Sequence, residues 1–232
     1  MPLIVLLSGL SISLGGCATG SVSDPVGPVS AATIQVREQR LEQLDAFRVS
    51  GGFGYWDERQ NLSASIDWER AGASLAIELR APLGLGRLVV TEDGEGARLQ
   101  RSGQAPLEGA SAAQVLSTAL GLPGPVPLDE IGHWIRGLPG PDATQVQRDE
   151  FGRLSRLIYR DTAGQRWRAT VRRYRRVDEF WLPVLLTAVS GERHLRLALS
   201  DWDLRSEATP LSPAERPSSP ARPSRRLPLP GA

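Results

Sequence analysis

Between Phe47 and Val90 the apolar side chains recur at every second position, run after run, across breaks too short to hold a helix. Phe47, Val49, Phe53 and Tyr55 alternate with Arg48, Ser50 and Gly54; Leu62, Ala64, Ile66 and Trp68 alternate with Ser63, Ser65 and Asp67. Leu75, Ile77 and Leu79 follow, then Leu88 and Val90. A period of two gathers the apolar residues of each run on one face of a strand. The breaks Asp57-Glu58-Arg59-Gln60-Asn61, Arg70-Ala71-Gly72-Ala73 and Glu92-Asp93-Gly94-Glu95-Gly96 are polar or Gly-bearing hairpin turns. Strands joined so closely pair antiparallel, and a series with one apolar face curls into a barrel or half-barrel.

One break is of another kind. Arg80-Ala81-Pro82-Leu83-Gly84-Leu85-Gly86 has the Pro and Gly of a turn, but its other residues are apolar where Asn, Asp or Ser is expected. Two readings fit: the loop folds back and Leu83 caps the core, or Pro82, Leu83, Gly84 and Leu85 form a tip that a membrane or partner buries.

Helical spacing occurs in three places. Ala31 to Phe47 places Ile34, Leu41 and Leu44 on one face. Ser111-Ala112-Ala113-Gln114 has the form of a capping box, opening a helix with Val115, Leu116, Ala119 and Leu120 on its apolar stripe. A third helix follows Pro127, carries Ile131, Trp134 and Ile135, and stops at Gly137. Strands return at Thr144–Arg148, Leu154–Arg160, Arg166–Tyr174, Val184–Val189 and His194–Asp203. About eleven strands with three helices make a mainly β chain of the α+β class, an unclosed antiparallel barrel with helices laid over it.

At the amino end, Met1 to Leu14 is apolar and ends in Leu14-Gly15-Gly16-Cys17. A run of that length followed by small residues reads as a secretory signal, since a membrane span needs about 20 residues. Leu-Gly-Gly-Cys resembles a bacterial lipobox, which implies a lipid on Cys17 and removal of 1–16; no Lys or Arg precedes the run, a departure from such signals. Ala18, where Asp would stand in a retained lipoprotein, implies the outer membrane. Residues 17–30 then form a lipidated tether, 31–204 the folded domain, and 205–232 a Pro-, Ser- and Arg-rich tail without apolar period, expected to be disordered. Cys17 is the single cysteine, which excludes an internal disulfide and a multi-cysteine zinc site.

Several motifs, taken together and in order, resemble the LolB family of outer-membrane lipoproteins. They are Phe47-Arg48-Val49-Ser50-Gly51-Gly52-Phe53, Ile66-Asp67-Trp68, Ala81-Pro82-Leu83-Gly84 and Trp134-Ile135-Arg136-Gly137-Leu138-Pro139-Gly140. Trp167, Tyr174, Leu182-Pro183 and Asp201-Trp202 complete the set. The resemblance implies a half-barrel around a lipid-binding cavity, with the loop at Leu83 engaging the membrane. It implies acceptance of acylated lipoproteins from a LolA-like periplasmic carrier, their insertion into outer-membrane lipid, and action as a monomer without cofactor. The sheet face of that cavity is expected from Phe53, Tyr55, Ile66, Trp68, Ile77, Leu79 and Trp167. Its lid is expected from Leu116, Leu120, Ile131 and Trp134. Pattern alone favours a solid core filled by these residues. A lipoprotein that scaffolds a protein partner, or binds free lipid, is the alternative. The tail from Arg205 is a departure from the family and inherits no role.

Other chemistries are weak. Arg166, Arg168 and Arg172 alternate with Trp167, Ala169 and Val171, as on the outer face of a strand, and net charge is only +1, which argues against nucleic acid. His133 and His194, the only histidines, lie in no nucleophile motif, with His133 expected to point outward. Asp129 and Glu130 are adjacent on a helix, so they do not face each other as a catalytic pair; they favour the dipole at its start. No catalytic or metal-binding residue is expected.

Overall fold

The computed structural model describes residues 29–84 and 86–204. Cys17, the signal and most of the tether, Leu85 and the tail 205–232 lie outside the described residues. Helix α1 (Ala31–Glu42) opens on Ser30, whose Oγ accepts from the Thr33 amide at 3.2 Å. It stops well short of Phe47, the end expected from spacing, because Ala46 is already paired with Ala71 in a sheet. Leu44 is buried beyond the helix end, so it keeps the stripe going on paper.

The strands are β1 (Ala46–Trp56), β2 (Asn61–Ala71), β3 (Ser74–Arg80), β4 (Arg87–Asp93), β5 (Gly96–Arg101) and β6 (Leu107–Gly109). After α2 (Ala112–Leu120) and α3 (Leu128–Arg136) come β7 (Thr144–Arg148), β8 (Leu154–Arg160), β9 (Arg166–Val177), β10 (Phe180–Ser190) and β11 (Arg193–Leu204). All pair antiparallel in one sheet of order β6-β5-β4-β3-β2-β1-β11-β10-β9-β8-β7. Two meanders are thus fused where β1 meets β11, and the far edges, β6 and β7, do not pair. The barrel is open, and the α2–α3 crossover joins the two meanders, with α2 against β4, β5 and β6 and α3 against β10.

β10 starts at Phe180, earlier than Val184, and its turn with β9 is Asp178-Glu179, with Asp178 at φ 51°. Pro183 hides this extension in the sequence, since proline within a run argues against a strand. The chain accommodates it with a register shift between Pro183 and Leu185. Strand β1 shifts register at Ser50/Gly51, where a Cβ on Gly51 would sit 2.2 Å from the Ala198 carbonyl oxygen. Gly51→Ala is therefore expected to lower stability by about 1–3 kcal/mol in urea unfolding, as overpacking against backbone does. A Cβ on Gly52 meets nothing, so Gly52→Ala is the matched control.

The alternation holds where it decides the inner face. Ile66, Trp68, Ile77, Leu79, Leu88 and Val90 are buried, as are Trp167, Ala169 and Val171, while Arg166, Arg168 and Arg172 are exposed. The Ser111 Oγ accepts from the Gln114 amide at 3.3 Å, one half of the expected capping box, while Gln114 Oε1 reaches one residue further back and accepts from Ala110 N–H at 3.1 Å in place of the Ser111 amide. Gly121 and Gly137 close α2 and α3 in the left-handed region.

Candidate functional site

Between the inner sheet face and the crossover lies an enclosed apolar cavity. Phe53, Ile66, Trp68, Ile77 and Leu79 line one wall, and Leu116, Leu120 and Ile131 belong to the other. These are eight of the eleven residues expected from sequence. Its free volume is about 20 Å³, room for roughly one water, against the 300–1,000 Å³ usual for a ligand pocket. No polar surface lines it. Such a space offers burial, and its aliphatic and aromatic lining holds no nucleophile to act on a ligand.

Tyr55, Trp134 and Trp167 are outside this lining, each held by its polar end. Tyr55 O–H donates to Asp57 Oδ2 at 2.9 Å, and burial together with that bond pushes its pKa up to about 12. Trp134 Nε1–H donates to the Pro139 carbonyl at 3.2 Å, and its ring meets Tyr159 edge-on at 6.1 Å. Trp167 Nε1–H donates to Asp161 Oδ2 at 3.2 Å. In each of these three the polar end has its partner, and the partner fixes where the ring points.

Leu122, Val126, Leu128, Leu195 and Leu197 complete the lining. Leu195 and Leu197 alternate in β11, so the strand expected at His194–Asp203 carried the signal, but neither was among the residues expected to line the cavity. Leu122 and Val126 lie in Gly121-Leu122-Pro123-Gly124-Pro125-Val126, where no period marks a face. That segment is tied to α2 by the Leu122 amide to Ser117 O at 2.9 Å and the Val126 amide to Ser117 Oγ at 3.2 Å.

The strands that supply Ile77 and Leu79 also carry the apolar loop. Leu83 is 96 % exposed, within a single 3-10 turn Pro82–Gly84, and does not cap the core. Its φ of 57° is the left-handed region, unfavourable for a leucine. The stem below is rigid. Ala81 N–H donates to Gly86 O at 2.9 Å, and Arg80 and Arg87 are register partners. Arg87 grips the buried Glu78 with two bonds, Nε to Oε1 at 2.6 Å and Nη2 to Oε2 at 2.9 Å, and Arg80 Nε reaches Oε1 at 2.9 Å. Arg80 also bonds Asp67, which accepts from Ser50 Oγ at 2.5 Å. A bidentate pair of this kind holds direction as well as distance.

Behind the lid, α3 is fastened by buried polar groups. Arg136, 7 % exposed, donates from Nη1 to the carbonyl of Leu44 at 3.1 Å and from Nε to that of Gly132 at 3.0 Å, bridging α3 to the end of α1. Glu130 is equally buried, its Oε2 without a hydrogen-bond partner, beside Gly140, whose Cβ would lie 2.2 Å from that oxygen. Burial first, then Asp142 and Asp129, push its pKa up to about 7. His133 is half-buried at the wall of a surface groove with Glu38, Glu42 and Arg136, and burial lowers its pKa. Among the described residues no three His, Cys, Asp or Glu side chains gather for a metal.

Comparison with known proteins agrees with this arrangement. The family model described as "Outer membrane lipoprotein LolB" matches residues 45–202. A protein named outer-membrane lipoprotein LolB from Pseudomonas paraeruginosa is 29 % identical over 205 residues, covering 88 % of this chain and 96 % of its own. One of that name from Chromohalobacter salexigens is 28 % identical over 195 residues, covering 84 % of this chain and 87 % of its own. Among solved structures, a LolA superfamily protein from Nitrosomonas europaea superposes with a TM-score of 0.51 at 12 % identity, over 78 % of this chain and 96 % of its own, a likeness of fold. A match running from the start of β1 almost to the end of β11 spans the whole sheet, the cavity and the loop, and this chain belongs to the LolB family.

Proposed function

We propose that this protein takes acylated lipoproteins from a LolA-like periplasmic carrier and inserts them into the outer membrane, to which it is itself anchored through a lipid on Cys17. The observation that carries the reading is the placement of Leu83, fully exposed on a clamped stem, at the end of the strands whose Ile77 and Leu79 line the apolar cavity. Cargo acyl chains with about 40 methylenes would cost on the order of 30 kcal/mol to release into water at about 0.8 kcal/mol each. Transfer therefore runs from one apolar enclosure to another, and needs no covalent step. The cavity at about 20 Å³ is a closed state; cargo enters as the α2–α3 crossover lifts from the sheet. The Gly- and Pro-rich segment 121–127 gives the crossover its bend. A Pro/Gly/Ser-rich tether, 17–30, lets the domain meet a soluble carrier while the anchor stays in place.

The test is delivery of a radiolabelled lipoprotein from its carrier into liposomes, with the protein bound to them through its anchor. Cargo should move to the liposomes only when this protein is present. Mass spectrometry of the same preparation should find acyl chains on Cys17 and no peptide from 1–16. A protein that binds partners but delivers nothing is the scaffold instead.

A further inference from the structure

Two grooves meet beside α1 and belong to neither the cavity nor the loop. One, of about 490 Å³, runs between α1 and the β9–β10 hairpin, is mostly apolar, and includes Val36, Phe180 and Trp181. Val36 is 57 % exposed and Trp181 36 %, an uncommon cost for two large apolar side chains side by side. The other, of about 500 Å³, shares Arg40, Glu179 and Phe180 with the first and adds an acidic rim of Asp45 and Asp178. Leu204, the last described residue, lines it. The described residues thus end at the wall of this groove system, and the tail 205–232 follows in sequence.

That tail has the chemistry the grooves lack. Residues 205–232 carry five arginines against two glutamates, and Pro210-Leu211-Ser212-Pro213, Pro217-Ser218-Ser219-Pro220 and Pro220-Ala221-Arg222-Pro223 each space two prolines three apart. It has no amphipathic face as a helix or strand, but proline at every third position gives a polyproline II ridge, which docks on aromatic grooves at low entropic cost. Flanking arginines choose its direction by pairing with acids at the rim.

We infer that the tail 205–232 docks in its own chain's groove, its proline ridge on Phe180 and Trp181 and its arginines on Asp178, Glu179 and Asp45. Trp181 is already steadied for this, with the Arg153 guanidinium 5.2 Å from its ring centroid. The Arg40–Glu179 pair at 3.6 Å, with both side chains more than half exposed, is loose enough to yield Glu179 to a tail arginine. Reach is no obstacle: at about 3.1 Å per residue, the first proline pair lies about 20–30 Å along the chain from Leu204. Being tethered, the tail meets the groove at an effective concentration of the order of millimolar. This docking stands independently of lipoprotein transfer.

The test uses the full chain with photoreactive benzoylphenylalanine at Val36, and separately at Trp181. After irradiation and digestion, the crosslinked peptides should come from 205–232 of the same chain, at monomer mass. Asp178→Arg combined with Glu179→Arg should cut that yield at least about fivefold while the cooperative melt is kept, because two attractive charges become repulsive. Crosslinks at both positions only to lipid, only within dimer-mass species, or to no tail peptide would overturn the docking.

Discussion

Leu83→Glu is expected to abolish delivery into liposomes while leaving the melting temperature where it is. At 96 % exposure the leucine contributes almost nothing to the core, and changes at such sites usually stay within about 0.5 kcal/mol. The stem keeps its shape without it, since the grip of Arg80 and Arg87 on Glu78 does not involve residue 83. Cargo uptake should survive as well, because Ile77 and Leu79 are untouched. Delivery should not. Burying a leucine is worth roughly 1.5–3 kcal/mol, and a carboxylate in its place opposes entry to the bilayer. Melting, uptake and delivery measured on one preparation check this, and a stable mutant that delivers normally removes the loop from the mechanism.

The second large effect is on stability against pH. Glu130 titrates near pH 7 in the folded protein against 4.5 ordinarily, so the fold binds its proton more tightly than the unfolded chain does. Its favourable contribution is complete below pH 4.5, declines as the pH rises, and is gone above about 7, a difference on the order of 3 kcal/mol. Glu130→Gln keeps the shape and cannot ionise. Its urea-unfolding free energy should match the parent near pH 4 and exceed it by about 2–3 kcal/mol at pH 8. His133, whose pKa is lowered, acts in the opposite sense, losing stability as pH falls, and is present in both proteins, so the comparison cancels it. Two parallel pH curves would mean that water or a loop shift already satisfies the carboxylate.

The sheet was legible because its signal is local. Most strands announce their inner face by alternation, the edge strands β6 and β7 with no buried residue being the exceptions, and eleven strands and three helices are what the structure contains among the described residues. The family motifs carried the cavity, since pattern alone favoured a solid core. What stayed hidden depends on how the chain folds back on itself, even over a few residues. Nothing near Trp134 or Trp167 says that Pro139 O and Asp161 will pull their rings out of the lining. Likewise Glu130 reads as a helix-start acid until Gly140 is brought against it. The start of β10 was obscured by Pro183, and Leu122 and Val126 by the loop that holds them.

The seam between β1 and β11 has a consequence in time. Phe47 pairs with Leu204 and Trp56 with His194, so the central ladder of the sheet joins its first strand to its last. The first strand made thus pairs with the last, and topology of this kind folds slowly. Until β11 has been made, the β1 edge it will cover stands open to any passing strand. A chain that lacks β11 thus cannot close its own sheet, and it is then that a holding factor would matter most.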